Sequence, residues 1–143
     1  MTEDANTAFE AWAVGEHGGD YTAFKSLLSP NFRLYSHPMS PERGVHTDGR
    51  ALEAMLTLIK GREQTPNYLH FTNVIRTQGK TTASGETTHV FLFDSVGKVA
   101  GGFPYQGYNA ITLIVQARRI VGFREYFGDV EPAWFRPSDG QQS

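Results

Sequence analysis

At Tyr68 the spacing of apolar residues changes from every third or fourth position to every second, and it stays alternating as far as Phe127. A chain with helical periodicity in its first half and strand periodicity in its second folds as α+β, with helices covering one face of an antiparallel sheet joined by short turns. The alternating half divides into four strands: Tyr68 to Thr77, Thr81 to Phe93, Tyr105 to Val115 and Ile120 to Phe127. Turns are expected at Gln78-Gly79, between Gly97 and Gly102, and at Gln116 to Arg118.

Three helices precede the sheet. Phe9, Trp12 and Ala13 stand at i, i+3 and i+4 and mark a helix that ends near Gly18-Gly19. Asp20 caps a second helix that carries Tyr21, Phe24, Leu27 and Leu28 inward and stops before Pro30, since a residue preceding proline is pushed out of the α region. A short strand, Phe32 to Ser36, leads into a loop from His37 to Thr47. Asp48 then caps a third helix with Leu52, Met55, Leu56 and Ile59 on one face. The expected organisation is one domain over 1–136 and a disordered polar tail over 137–143.

Side chains alternate across a strand, so each run has an inner and an outer set. The inner sets read Val121, Phe123, Glu125, Phe127; then Asn109, Ile111, Leu113, Val115; then His89, Phe91, Phe93. In the first of the four strands Leu69, Phe71, Asn73, Ile75 form the more apolar face, with His70 opposite. A carboxylate among aromatics is costly to keep charged, so Glu125 must find a partner, hold its proton more tightly, or both. With His89 it could run proton transfer near neutrality; equally, it could pair with Arg124 or Arg119 at the sheet edge.

The formal net charge of -2, with cations scattered singly, offers no basic stripe for nucleic acid. No apolar run approaches the length of a membrane span or a signal peptide, and there is no cysteine, which together point to a cytoplasmic protein. The five histidines lack the spacing that places two ligands on one helical turn, and no glycine-rich loop opens a helix with Lys-Ser/Thr, so neither a metal nor a nucleotide cofactor is expected.

The order of elements, the Gly19-Asp20 step, the His37-Pro38 step and the closing run from Ile120 to Asp129 with its Arg124-Glu125-Tyr126-Phe127 resemble the superfamily of nuclear transport factor 2, ketosteroid isomerase and the SnoaL-like polyketide cyclases, over about residues 5 to 130. The resemblance implies a cone-like, cystatin-type fold in which three N-terminal helices pack on a curved antiparallel sheet. It also implies a pocket between sheet and helices, and twofold pairing through the sheet. On the isomerase pattern the base position falls on His37, the tyrosine donor on Trp12 and the protonated aspartate near Asn109. On the epoxide-hydrolase pattern the two carboxylates fall near His89 and Glu125 and the bridging arginine on Thr87, so that triad is broken. The stretch Gly102-Phe-Pro-Tyr-Gln-Gly-Tyr108 resembles the cyclase branch, and His70 to Asn73 resembles a dehydratase strand that bears a catalytic histidine.

The expected activity is cofactor-independent acid–base chemistry of the isomerase, cyclase or dehydratase type on an apolar cyclic or polyketide-like molecule. His37 would act at the pocket mouth, and Glu125 and His89 as a deeper pair. Trp12 and Asn109 would be donors toward a developing oxyanion, with Tyr35, Phe24, Met55 and His70 as further contacts. The alternative is a non-catalytic ligand-binding or dimerisation module of the same superfamily. An outer sheet face carrying Tyr108, Thr112, Ile114 and Tyr126 needs cover, which a homodimer would give.

Overall fold

The computed structural model describes residues 2–36 and 44–127. Helix α1 spans Thr2–Glu16 and α2 Thr22–Leu27; strands β1, Leu28–Ser36, and β2, Gly44–His46, follow. After α3, Ala51–Gln64, come β3, Tyr68–Thr81, β4, Thr87–Val99, β5, Phe103–Gln116, and β6, Arg119–Phe127. His37 and the tail 137–143 lie outside the described residues.

Local chemistry sets the helix ends. α1 stops where Gly18 and Gly19 take φ of 121° and 93°, a region open to glycine and strained for other residues. The Asp20 carboxylate accepts the Thr22 N–H at 3.1 Å at the start of α2, and Leu28 is already extended two residues before Pro30. Asp48 accepts the Arg50 N–H at 2.9 Å and the Ala51 N–H on its carbonyl at 3.0 Å, which starts α3.

The six strands form one sheet in the order β2-β1-β6-β5-β4-β3. All neighbours run antiparallel except β1 and β6, which pair in parallel, with Tyr35 opposite Arg124, so the sheet is mixed. The α+β class stands as expected. Three local expectations do not: Gly44–His46, expected inside a loop, forms β2 against β1, and two others fall in β3. β3 continues through Gln78-Gly79, opposite His89, and the chain reverses instead at Thr82 to Glu86, where Gly85 has φ 88°. Asn73, at φ 53°, lies in a register irregularity between Thr72 and Ile75; it turns Ile75 outward opposite Leu92 and brings Arg76 to the inner face opposite Phe91. A second irregularity opposite Ile114 and Val115 brings Ile120 into the core, where Val121 is buried as well.

The core lies between the inner sheet face and the helices. Phe9 of α1 stacks on Phe91 at 4.4 Å and meets Phe93 edge-on at 5.3 Å. Trp12 packs against Phe24 at 5.0 Å and Phe123 at 4.7 Å. No helix among the described residues is long and apolar enough to cross a membrane.

Candidate functional site

Two of the three helices on this core, α1 and α3, carry a charged residue where their apolar stripe would continue. Glu16 follows Trp12 by four residues on α1, and Arg62 follows Ile59 by three and Met55 by seven on α3. These positions aim both groups at the inner sheet face, where they meet Glu125 of β6. Arg62 donates from Nη1 to Glu16 Oε2 at 3.0 Å and from Nη2 to Glu125 Oε1 at 3.1 Å. Its guanidinium also lies over the Trp12 ring, 5.1 Å from the centroid. The side chains are 3% exposed for Glu16, 13% for Glu125 and 23% for Arg62, so this is a largely dry ion triad.

Glu16 is the most constrained member. The Tyr21 hydroxyl donates to Glu16 Oε2, and Asn67 Nδ2 donates to Oε1 at 3.3 Å. Asn67 in turn accepts the Ala100 N–H at 2.8 Å on Oδ1 and the Gly18 N–H at 2.8 Å on its carbonyl, tying the end of α1 to the β4–β5 turn. Gly15 makes the Tyr21 contact possible, because a Cβ there would stand 2.2 Å from the phenol ring.

Glu125 is held on one side only. Its Oε1 takes the Arg62 bond, while Oε2 makes no hydrogen bond to a described residue. Burial pushes its carboxyl above the ordinary 4.5; the charge of Arg62 opposes this and that of Glu16 reinforces it. Burial would favour a neutral Arg62, but Glu16 and Glu125 outweigh it and hold the guanidinium protonated. Tyr21 is kept in its phenol form by burial and by the Glu16 charge. Burial thus makes Glu125 the member of the triad best placed to give or take a proton.

The structure brings some sequence candidates to this centre and leaves others apart. Trp12 underlies Arg62, and its buried Nε1–H has no hydrogen-bond acceptor among the described residues. Phe24 and Met55 are buried in the adjoining core. Asn109 sits on the inner face, half-buried, and donates to the Tyr105 hydroxyl at 2.8 Å. Glu125 pairs with neither Arg124 nor Arg119. Tyr35 shares with Arg124 the register that faces away from the core, and Arg124 stacks over it at 5.9 Å. His70 is exposed, with its ring 4.1 Å from that of His17.

His89 does point inward, yet it does not pair with Glu125. Strand β5 separates them, since His89 is opposite Leu113 and Glu125 opposite Ile111. It is fully buried with neither ring nitrogen bonded to a described residue, and burial, followed by the charge of Arg76, lowers its pKa below the ordinary 6.5. The neutral imidazole is thus the folded form, and its contribution to stability is present above pH 6.5 and lost as pH falls. His89→Leu is expected to stabilise the protein by about 1–2 kcal/mol at neutral pH and to flatten its loss of stability between about pH 7 and 5, as read by urea titration.

Glu16, Tyr21, Arg62 and Asn67 were not singled out as site residues from the sequence, although charges on the buried helical stripes were a signal for Glu16 and Arg62. No cluster of three or more metal-ligating side chains occurs among the described residues.

Comparison with solved structures places this architecture. An NTF2-like protein from Anabaena variabilis superposes with a TM-score of 0.71 at 25% identity, covering 90% of each chain. A candidate polyketide cyclase from Pseudomonas putida matches at TM-score 0.57 and 18% identity over 89% of this chain and 90% of its own. A candidate isomerase from Bacillus subtilis matches at TM-score 0.58 and 19% identity over 89% and 88%. No protein-family model and no curated protein matches the chain.

Proposed function

We propose that this chain, which has the NTF2-like fold, is a small-molecule enzyme that moves a proton within an apolar cyclic or polyketide-like substrate by acid–base chemistry, without a cofactor. One observation carries the reading: Glu125 is fixed through Oε1 by Arg62 and raised in pKa by burial. A carboxylate so placed is poised to take a proton from a carbon beside a carbonyl, or to give one to a leaving hydroxyl. The Trp12 Nε1–H, which lacks an acceptor among the described residues, would donate to the oxygen on which charge develops. His37 is the proposed second proton-transfer group; it follows β1, whose Tyr35 pairs with Arg124, next to Glu125 in β6. The fold-level likeness to proteins named as candidate polyketide cyclase and isomerase agrees with this class of chemistry.

The test is turnover of a panel of cyclic ketones and hydroxyketones by the full chain and two variants. Glu125→Gln should abolish most turnover of any accepted substrate and His37→Ala should reduce it. Unchanged turnover in both variants sinks the enzymatic reading.

Pairing of two copies belongs to the same proposal. Ile75, Leu92, Val96, Tyr108 and Tyr126 share the outer sheet face by register and are all exposed, Tyr108 by 72%. Such a contiguous apolar face calls for cover, and a second copy supplies it with twofold symmetry. Sedimentation at micromolar concentration should give twice the 15.9 kDa chain mass; a monomer refutes it. We place the protein in the cytoplasm, where a chain without cysteine is unaffected by the reducing conditions.

A further inference from the structure

The outer face of the sheet carries a charge pattern that its own strands do not neutralise. Arg124 of β6 is exposed there, its guanidinium 5.9 Å from the centre of the Tyr35 ring and 4.9 Å from that of Tyr126, with no carboxylate partner among the described residues. Arg33, on the same side of β1, is already paired with Glu86 at 2.8 Å. Asp94 of β4 is the one carboxylate that the described strands place on this face; it is half-buried and accepts the Asn73 amide at 2.7 Å. The two charges do not meet within one chain. Arg124 stands opposite Thr112 and Asp94 opposite Tyr108, so two strand spacings and four residues of rise set their backbones roughly 17 Å apart. Covering this face with a surface that brings no acid to Arg124 would strip water from an unpaired guanidinium.

The strand register shows what can bring one. Ala110 lies midway between the two charges, two residues along β5 from Thr112 and two from Tyr108. A twofold axis in the plane of the interface, passing over Ala110 at right angles to the line from Arg124 to Asp94, exchanges them, so each Arg124 meets the partner's Asp94. The same axis brings the exposed Tyr126 of one copy toward the exposed Tyr108 of the other. Ala110, the smallest side chain of its row, then faces itself, where a larger group would hold the copies apart. We infer that this face docks a second copy in that one register, and that the reciprocal Arg124–Asp94 pairs select it over apolar surfaces that offer no carboxylate. The inference rests on the proposed pairing of two copies, adds its register and its specificity, and is independent of turnover.

Sedimentation of the full chain and its charge-reversed variants tests it. Arg124→Glu and Asp94→Arg should each raise the dimer dissociation constant at least about 100-fold, because both reciprocal contacts become repulsive. An equimolar mixture of the two variants should dimerise about as tightly as the parent. In the mixed dimer one contact is native and the other is reversed on both sides, so both attract. The chain carrying both substitutions should recover in the same way, and neither recovery is open to a variant that fails to fold. If the parent dimerises and the single variants dimerise equally well, or if their mixture stays monomeric, the register is wrong while the pairing of copies stands. A parent that is monomeric at micromolar concentration overturns both.

Discussion

Arg62→Met is expected to lower the free energy of unfolding by about 3–5 kcal/mol, because it leaves two carboxylates facing one buried centre with no counter-ion. The loss should exceed the worth of the two ion pairs taken singly, since what remains is uncompensated buried charge rather than a missing contact. Adding Glu125→Gln to Arg62→Met should recover a substantial part, because one of the two stranded charges is then gone. Urea titrations at pH 7.5 with a common m-value measure both effects. A loss below about 1 kcal/mol for Arg62→Met would mean that water reaches the triad and that it behaves as an exposed pair.

Glu125→Gln should act with opposite sign on stability and activity. Folding raises the pKa of this carboxyl, so its contribution to stability is complete below the unfolded value near 4.5 and is lost as pH rises through the folded value. An amide in its place escapes that loss, and the variant should be as stable as the parent or more stable at pH 8. Activity should fall by about 10²–10⁴-fold, the usual range for removal of a general acid or base, and the limb of the kcat/KM profile that reports this carboxyl should vanish. A residue kept for packing would show both quantities falling together. That outcome would remove Glu125 from the chemistry.

Much of the scaffold was readable from the order of residues because its causes are local. Asp20 and Asp48 each accept the N–H two residues on and so turn the chain into α2 and α3, although the N-cap positions themselves fall to Tyr21 and Arg50; Pro30 forbids continuation of α2, and alternation turns Glu125, Asn109, Phe91 and His89 to one face. The misses have causes that are not local. Gln78-Gly79 has the composition of a turn, but cross-strand pairing with β4 keeps it in the ladder, and the reversal falls to Thr82 to Glu86. Ile75 has the residue type of a core position, and the irregularity at Asn73 sends it outward. His89 and Glu125 share a face as expected, but a shared face does not make a contact when a third strand stands between them.

Periodicity and the turn chemistry of Gly, Pro and Asp therefore determined the class of fold, the number of helices and the inward aim of Glu125 from the sequence alone, since each depends on residues within a few positions of one another. Which group would neutralise Glu125 was decided only by the tertiary structure. Its partner Arg62 lies 63 residues away in the chain, and the competing carboxylate of Glu16 a further 46 from that arginine. Pairings over such separations follow from how α1 and α3 settle on the sheet and from the cost of leaving any of these charges alone in a dry interior.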